Sequence, residues 1–377
     1  MERAELKALV RATGSAEEQG EWMMLCDPAW RPEERKRARA LLGRLHRTHP
    51  KPRRGWLCLP TGGTGGVVKF ARHDERTLGA AVRGFCAHFN LRRVNAVGVL
   101  PPHHVSGLMA RVRCAATGGE YVDWSWKQLE AGRRPVIKGG PWVISLVPTQ
   151  LQRLLQSRAA IAWLRRFEII FLGGGPVWAE LAETAAKVRL RISLSYGLTE
   201  TAAMVAALRP REFAAGARSC GRALPHARWR IGRGGVVRIS GQSLFRGYAG
   251  DRRGAAEFAT GDLGSIDASG SLHILGRRDA VIITGGKKVH PAMVEAALRA
   301  TGRFPDVAVI GLPDDEWGEA VVACYPADRG AKLKLPSLPD LPAYQRPKRL
   351  IAIKPWPRNA QGKLDRARLK AAAGIGP

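Results

Sequence analysis

Short apolar stretches alternate with helical segments through the middle of the chain, and this alternation constrains the fold more than any other feature. Residues 143–147, 169–172 and 191–195 have the composition of buried strands, and helical segments lie between them. Strands that alternate with helices form crossover units, in which the paired strands run parallel. The sequence therefore predicts an α/β protein with a largely parallel central sheet.

The segments on either side of this core differ from it. Residues up to 52 are typical of one or two helices, with Leu41, Leu42 and Leu45 at helical spacing. After Arg209, short β-like runs with many glycines predict a small β subdomain. The final part predicts a small α+β lobe. We place the boundary after residue 278, which gives domains 1–278 and 279–377.

Length and composition agree with a globular protein. The 377 residues suffice for roughly two domains with buried cores, and hydrophobic residues make up 45% of the chain. Its six cysteines are scattered singly, which indicates neither zinc nor disulfides and favours a reducing compartment. The N-terminus lacks the apolar core of a signal peptide, and no apolar run approaches about 20 residues. We therefore expect a cytoplasmic protein without a membrane span.

The formal net charge of +29 raises the question of a nucleic-acid partner. The basic residues are, however, spread along the chain rather than concentrated in a tail, and the densest stretch, residues 31–54, is typical of a solvated helix and a loop. A basic surface also attracts small polyanions. The charge therefore does not by itself predict nucleic-acid binding.

Five short motifs occur in a fixed order along the chain. They are a Gly/Thr-rich loop that ends in lysine (60–69), Tyr196-Gly197-Leu198-Thr199-Glu200, Thr260-Gly261-Asp262, Gly276-Arg277-Arg278-Asp279 and Gly362-Lys363. Each is weak alone, because glycine loops and Gly-Asp turns are common. Together they predict a nucleoside triphosphate site and a lysine on a C-terminal lobe.

The Gly/Thr-rich loop has the composition of a phosphate-binding loop. Glycines let backbone N–H groups approach phosphate oxygens, while Thr61 and Thr64 add hydroxyls and Lys69 adds charge. Its glycine and lysine spacing differs from that of the P-loop of nucleoside triphosphatases. A flexible glycine turn remains the alternative for this segment taken alone.

In this order the motifs resemble those of the adenylate-forming superfamily of acyl-CoA synthetases, acyl-adenylating enzymes and luciferases, over residues 56–368. The resemblance implies an adenylate-forming fold: a large N-terminal domain with α/β sheets and a small β subdomain, and a small mobile C-terminal lobe. It also implies ATP and Mg²⁺ as cofactors and CoA as a substrate. The phosphate loop begins earlier than in most members, so the resemblance implies a shortened N-terminal subdomain.

The resemblance assigns roles to individual residues. It implies that Tyr196, Gly174 and Gly175 contact adenine, that Asp262 and Arg277 bind the ribose or phosphate, and that Thr199 binds phosphate. Glu200 is the implied magnesium ligand. The implied phosphate-loop residues are Thr61, Gly63, Thr64 and Lys69.

In the C-terminal lobe, the resemblance implies that Asp279 is the hinge between two half-reactions. It implies that Gly285 and Gly286 line the channel for the pantetheine arm of CoA. Lys363 is the implied catalytic lysine, whose ammonium would stabilise charge that develops during adenylation.

Within the superfamily, the chain is most similar to short 2-succinylbenzoate–CoA ligases of menaquinone and phylloquinone synthesis. The similarity rests on residues 100–109 and 145–151. It implies that His104, Ser106 and Gly107 form part of the acid pocket. 2-Succinylbenzoate keeps a second carboxylate, and Arg113, on the helix after this motif, is our candidate for its cation. A packed His104 and a solvent-facing Arg113 are the alternatives.

Two further functions stay as alternatives. The first is a ligase for another aryl or acyl acid, or one that loads a carrier protein. The second is a non-catalytic basic protein that associates with nucleic acid and keeps a degenerate adenylation fold. We expect small-molecule partners, and a homodimer is compatible with the sequence.

Overall fold

The computed structural model describes residues 1–61, 68–251, 254, 256–304, 306–327, 333–358 and 364–374. Its strands form four sheets. No helix in these ranges is both long and apolar enough to cross a lipid bilayer.

The first sheet contains an antiparallel hairpin that the sequence did not predict. The elements are α1 (Arg3–Arg11), β1 (Ala16–Gln19), β2 (Trp22–Leu25), α2 (Pro32–Thr48), β3 (Leu57–Thr61) and β4 (Lys69–His73). The strands pair in the order β1-β2-β3-β4. All four residues of β2 are buried, so this strand lacks the polar–apolar alternation that marks a half-buried strand. The helices predicted before residue 52 are present as α1 and α2, but the prediction missed the hairpin between them.

The central sheet has seven strands and confirms the predicted α/β core. Its elements are α3 (Glu75–Phe89), β5 (Asn95–Gly98), α4 (Val105–Thr117), β6 (Tyr121–Asp123), α5 (Trp126–Glu130), β7 (Trp142–Leu146), α6 (Pro148–Leu154), α7 (Arg158–Leu164), β8 (Ile169–Leu172), α8 (Ala179–Lys187), β9 (Ile192–Leu198), β10 (Ala203–Ala207), α9 (Pro210–Ala214) and β11 (Arg222–Ala223). The order is β11-β10-β9-β8-β7-β5-β6, and the five strands β5 to β9 run parallel.

The N-terminus of α3 is fixed by a buried carboxylate. Asp74 caps the helix by accepting hydrogen bonds from the amides of Arg76 and Thr77, so α3 begins at Glu75. The Asp74 carboxylate also lies 2.9 Å from Nε of Arg246. Burial raises the pKa of Asp74, but these hydrogen bonds outweigh it and hold that pKa below its ordinary value. This ion pair joins α3 to the later segment of the chain that contains Arg246.

The third sheet is antiparallel and carries two of the motifs. Its strands are β12 (Ala227–Ile231), β13 (Val236–Gly241), β14 (Glu257–Ile266) and β15 (Leu272–Arg277), paired in that order. Asp262 on β14 is directly opposite Arg277 on β15. The predicted β subdomain is therefore present, and its last two strands bring a carboxylate and a guanidinium together.

The fourth sheet has a core of its own. Its elements are β16 (Ile282–Thr284), β17 (Lys287–Val289), α10 (Pro291–Ala300), β18 (Ala308–Asp314), β19 (Gly318–Pro326), β20 (Arg349–Ile353) and α11 (Arg366–Gly374). Two hydrophobic clusters are drawn from these elements and their connections. From α10, the Arg299 guanidinium lies 5.4 Å from the ring centroid of Trp178, just before α8. The boundary at 278/279 and the mobility of this lobe remain predictions.

Candidate active site

The Glu200 carboxylate lies where β3, β9 and the segment after β13 meet. It is 5% exposed and belongs to a short 3₁₀ turn, Thr199–Thr201, that follows β9. Its Oε1 atom accepts a hydrogen bond from the Tyr248 hydroxyl at 2.8 Å and one from the Thr61 hydroxyl at 3.2 Å. The described partners of this buried anion are thus neutral hydroxyls, so its charge remains to attract a cation.

The backbone of the same turn is held from two sides. His73 Nε2 donates to the carbonyl of Thr199 at 2.8 Å, and the amide of Phe245 donates to the carbonyl of Glu200 at 2.8 Å. His73 is fully buried, and burial lowers its pKa to about 4, so the ring is neutral at pH 7. The orientation of Thr199 and Glu200 therefore depends on residues far away in sequence.

Lys69 lies at the same corner of the site. It is exposed at the start of β4, and its ammonium is 5.3 Å from the ring centroid of Tyr248. An ammonium over an aromatic face is attracted by the ring's quadrupole. Thr61 and Lys69 are thus close to Glu200, whereas Gly63 and Thr64 lie outside the described residues.

A second polar group surrounds Asp262. The Tyr196 hydroxyl donates to its Oδ2 at 2.7 Å, and the Arg277 guanidinium approaches its Oδ1 at 3.5 Å. Burial, followed by the charge of Asp262, raises the pKa of Tyr196, which keeps the phenol protonated. Arg277 also donates to both oxygens of Asp279, at 3.1 and 3.0 Å. The structure therefore brings together four predicted site residues from three motifs.

Gly174 and Gly175 lie in the turn after β8, next to the strand that carries Tyr196. A Cβ at Gly174 would lie 3.5 Å from Val147, and one at Gly175 would lie 3.9 Å from Pro148, just after the adjacent strand β7. In a doubly wound sheet, ligands bind outside the carboxyl ends of such strands. The two glycines thus lie at the edge where a ligand of this fold class is expected.

The predicted acid-pocket residues lie at the start of α4. His104 is the N-cap residue of that helix, and Ser106 lies in the helix's first turn. The ring centroids of His103 and His104 are 4.5 Å apart. A Cβ at Gly107 would come within 2.2 Å of the Pro101 carbonyl oxygen, so this position requires glycine for packing. Tight packing of the helix against the 101–104 loop therefore explains the glycine in the pattern His-Val-Ser-Gly.

Arg113 is buried rather than solvent-facing. It is 5% exposed, and its guanidinium lies 4.1 Å from the ring centroid of Phe85. Burial lowers its pKa to about 10, so the guanidinium remains charged at neutral pH. Within the described part of the chain, its Nε atom has no hydrogen-bond partner. A buried cation is costly unless an anion pairs with it.

The C-terminal candidates fall into two groups. Gly285 and Gly286 form the turn between β16 and β17 with φ of 53° and 73°, a conformation that favours glycine. A Cβ at Gly285 would also come within 2.8 Å of the Trp317 ring. Lys363 lies outside the described residues, between Arg358 and Leu364, which form an antiparallel bridge.

The donor set around Glu200 fits a hard cation. Mg²⁺ is bound in proteins through one or two carboxylates together with substrate phosphates, rather than by an all-protein cage. Over the described ranges, no three or more His, Cys, Asp or Glu side chains cluster as metal ligands. A single carboxylate flanked by hydroxyls is therefore the arrangement expected of a metal shared with phosphate.

Sequence reasoning missed His73 and Tyr248. Neither belongs to one of the five motifs, and each acts across a long chain separation, 126 residues for His73 to Thr199 and 48 for Tyr248 to Glu200. His73 gives no periodic signal, and Tyr248 follows Gly247 in a segment between strands. Only the fold shows that both contact the Thr199–Glu200 turn.

The sequence of this chain matches that of a known protein family. Residues 2–249 match the family model described as AMP-binding enzyme. The chain belongs to the AMP-binding enzyme family. The family assignment confirms the superfamily predicted from the five motifs.

Curated relatives carry a more specific name. A 2-succinylbenzoate–CoA ligase of Listeria monocytogenes is 31% identical over 281 residues, which cover 72% of this chain and 60% of the relative. A probable 2-succinylbenzoate–CoA ligase of Mycobacterium tuberculosis is 32% identical over 342 residues, 83% of each chain. This family member thus spans about 60% of the length of the Listeria relative.

Solved structures confirm the predicted adenylate-forming fold. An o-succinylbenzoate CoA synthetase from Bacillus subtilis, in complex with its acyl-adenylate intermediate, matches with a TM-score of 0.70 at 24% identity, over 84% of this chain and 69% of that one. ATP-bound MatB from Rhodopseudomonas palustris matches with a TM-score of 0.70 at 27% identity, over 85% and 68%. This AMP-binding family member therefore shares its fold with enzymes that bind ATP or an acyl-adenylate.

The burial of His73 predicts that the stability of the fold decreases in acid. Its pKa is about 4 in the folded protein, whereas an unfolded histidine has about 6.5, so between these values the unfolded chain binds the additional proton. Stability should therefore fall as pH decreases through this window, by up to about 3 kcal/mol for His73. His73→Gln should be less stable at pH 7 and lose less stability on acidification, as measured by urea unfolding from pH 7.5 to 4.5.

Exposed His49 provides the matched control. His49→Gln should retain the wild-type dependence of unfolding free energy on pH. A His73→Gln protein with the same pH dependence as wild type would contradict the prediction.

Proposed function

We propose that this protein is an ATP- and Mg²⁺-dependent acid–CoA ligase that converts 2-succinylbenzoate to 2-succinylbenzoyl-CoA in menaquinone or phylloquinone synthesis. The observation that carries the proposal is the assembly around Glu200 of Thr61, Thr199 and Lys69, next to the Tyr196–Asp262–Arg277 group. The names of the curated relatives support the choice of acid.

The nucleotide roles follow from the chemistry of each group. The Asp262 carboxylate can accept hydrogen bonds from ribose hydroxyls, and Arg277 beside it can donate to ribose or phosphate. Tyr196, Gly174 and Gly175 would contact the adenine. The phosphates would be bound by Thr61, Thr64, Lys69, Thr199 and the backbone at Gly63. Adenine, ribose and phosphates are joined in one molecule of ATP, which is the reason to propose a single ligand for these groups.

Glu200 would hold Mg²⁺, because its described partners are neutral hydroxyls and its charge is not compensated by them. When bound, the metal would neutralise phosphate charge. Thr61 is close enough to Glu200 to place a phosphate-loop hydroxyl beside the metal.

The reaction has two steps in this proposal. In the first, the succinyl carboxylate of the acid attacks the α-phosphorus of ATP, an oxygen–phosphorus bond forms, and pyrophosphate leaves. In the second, the CoA thiol loses its proton and attacks the acyl carbon, and AMP leaves. Lys363 would stabilise the charge that develops in the first step. Gly285 and Gly286 would line the pantetheine channel in the second.

The C-terminal lobe, residues 279–377, would rotate between these steps about Asp279. In the structure Asp279 is paired with Arg277, which also approaches Asp262. The hinge residue is therefore linked through one guanidinium to the carboxylate proposed to bind ribose. This contact supports Asp279 as the hinge, because it joins the nucleotide site to the start of the lobe.

The acid would lie between the start of α4 and the nucleotide. His104, Ser106 and Gly107 would form part of its pocket, with Arg113 as the cation for the aromatic carboxylate that does not react. The burial of Arg113 and the lack of a hydrogen-bond partner for its Nε among the described residues support this role, since a charge-assisted hydrogen bond would satisfy it. The neighbouring thiols cannot replace a carboxylate, because burial keeps the Cys114 thiol protonated with a pKa of about 12.

The proposed function predicts pyrophosphate exchange into ATP that depends on the acid. We expect exchange with 2-succinylbenzoate and little with benzoate, acetate or fatty acids, because Arg113 needs a second carboxylate. A wild-type protein that is inactive with 2-succinylbenzoate but active with benzoate would overturn the substrate assignment and leave the ligase assignment standing. Exchange with none of the acids would contradict both and favour a non-catalytic protein.

Lys363→Ala should slow pyrophosphate release by at least about a hundredfold, because charge in the first transition state would lose its partner. The second step, assayed by supplying chemically prepared acyl-adenylate and CoA, should be little changed. Lys370→Ala removes an exposed lysine of α11 and should leave both rates at the wild-type level. Wild-type pyrophosphate release by Lys363→Ala would exclude this lysine as the adenylation residue.

Arg113→Leu should raise the KM for 2-succinylbenzoate by about thirtyfold or more, since a buried anion would lose its charged partner. The KM for ATP should stay within about twofold. The matched control is Arg111→Leu on the same helix, because Arg111 pairs with the exposed Asp123 and should not affect the acid. An unchanged KM for the acid in Arg113→Leu would exclude Arg113 as the specificity residue.

A further inference from the structure

Tyr248 lies in the segment 242–250 between β13 and β14, and this segment is anchored to β4. The amide of Arg72 donates to the Gly247 carbonyl at 3.0 Å, and the amides of Arg246 and Ala249 donate to the carbonyls of Arg72 and Phe70 at 2.8 Å. Tyr248 and Ala71 form an antiparallel bridge. The backbone at Tyr248 is therefore fixed against a strand that begins at Lys69.

The side chain of Tyr248 connects two charged groups of the proposed site. Its hydroxyl donates to Oε1 of Glu200 at 2.8 Å, and its ring lies 5.3 Å from the Lys69 ammonium. The ring also packs edge-on against Phe245, with 4.9 Å between centroids. Burial, then the Glu200 charge, raises the pKa of Tyr248, so the phenol remains a donor at neutral pH.

The hydroxyls of Tyr248 and Thr61 meet at the same carboxylate oxygen, Oε1. Two donors that converge on one oxygen restrict rotation of the carboxylate about its terminal bond. A carboxylate held in this way approaches a cation without first losing rotational freedom. The Tyr248 ring has a separate effect, because it restricts the position of Lys69.

We propose that Tyr248 is a positioning residue: its hydroxyl orients the Glu200 carboxylate for Mg²⁺, and its ring holds Lys69 for phosphate. The inference rests on the proposed function, since it assigns Mg²⁺–ATP to this corner of the site. It adds a residue outside all five sequence motifs. In this role Tyr248 would act through Glu200 and Lys69 rather than through a contact of its own with the reacting atoms.

The test is the effect of Mg²⁺ on ATP affinity in Tyr248→Phe, measured by isothermal titration calorimetry with excess Mg²⁺ and with EDTA. Phenylalanine removes the hydroxyl and keeps the ring next to Lys69. We expect ATP affinity in EDTA to remain within about twofold of wild type. The gain in affinity that Mg²⁺ provides should fall by about tenfold, as for a lost hydrogen bond to a charged group.

Two controls separate positioning from a general structural effect. Tyr121→Phe, which removes a phenol hydroxyl from β6 at the far edge of the central sheet, should behave as wild type. Glu200→Gln should lose most of the gain from Mg²⁺, and adding Tyr248→Phe to it should cause no further loss. Additive losses in the double mutant would overturn the proposal.

Other outcomes also decide the question. A wild-type gain from Mg²⁺ in Tyr248→Phe would overturn the proposal, as would an equal loss of ATP affinity with and without Mg²⁺ accompanied by a lower Tm. A wild-type protein that binds ATP without any effect of Mg²⁺ would overturn the metal role of Glu200 and this inference with it. Wild-type protein that binds no ATP under either condition would instead overturn the proposed function itself.

Discussion

The burial of the Glu200 carboxylate is the constraint on which the site depends. A charge that is 5% exposed is costly unless polar groups surround it. The described groups come from different parts of the chain: Thr61 from the end of β3 and Tyr248 from the segment after β13. The first sheet, the central sheet and the third sheet must therefore be in place together before this carboxylate is satisfied.

The contacts around Glu200 explain why the sheets are joined as they are. His73, at the end of β4, donates to the backbone of the turn, and Asp74 next to it caps α3 and pairs with Arg246. Arg246 lies two residues before Tyr248. A short stretch after β4 and a short stretch after β13 thus share both a structural ion pair and the polar environment of the site. The stability of α3 and the geometry of Glu200 depend on the same two segments.

The sequence predicted the parts of this protein whose signals are local. The buried strands β7, β8 and β9 were visible as short apolar runs, and motif order was enough to predict that Thr61, Glu200 and Asp262 belong to one site. The hairpin β1–β2 was missed, because its second strand is buried throughout and shows no alternation. His73 and Tyr248 were missed because their partners are distant in sequence. Arg113 was selected by its position, but its burial over Phe85 could be learned only from the fold.

On the proposed function, two buried charges of opposite sign would give the site its selectivity. Glu200 has described hydroxyl partners, and Arg113 lies against Phe85 with thiols as its neighbours, so neither charge is compensated by these neighbours. An uncompensated buried charge reduces stability, and binding an ion of opposite sign recovers that loss. On the proposed function the recovering ions are Mg²⁺ with ATP at Glu200 and the second carboxylate of the acid at Arg113. A substrate without that carboxylate would leave Arg113 unpaired. The enzyme would then discriminate between acids through the free-energy cost of an unpaired buried charge as much as through the stability of the ion pair formed with the correct acid.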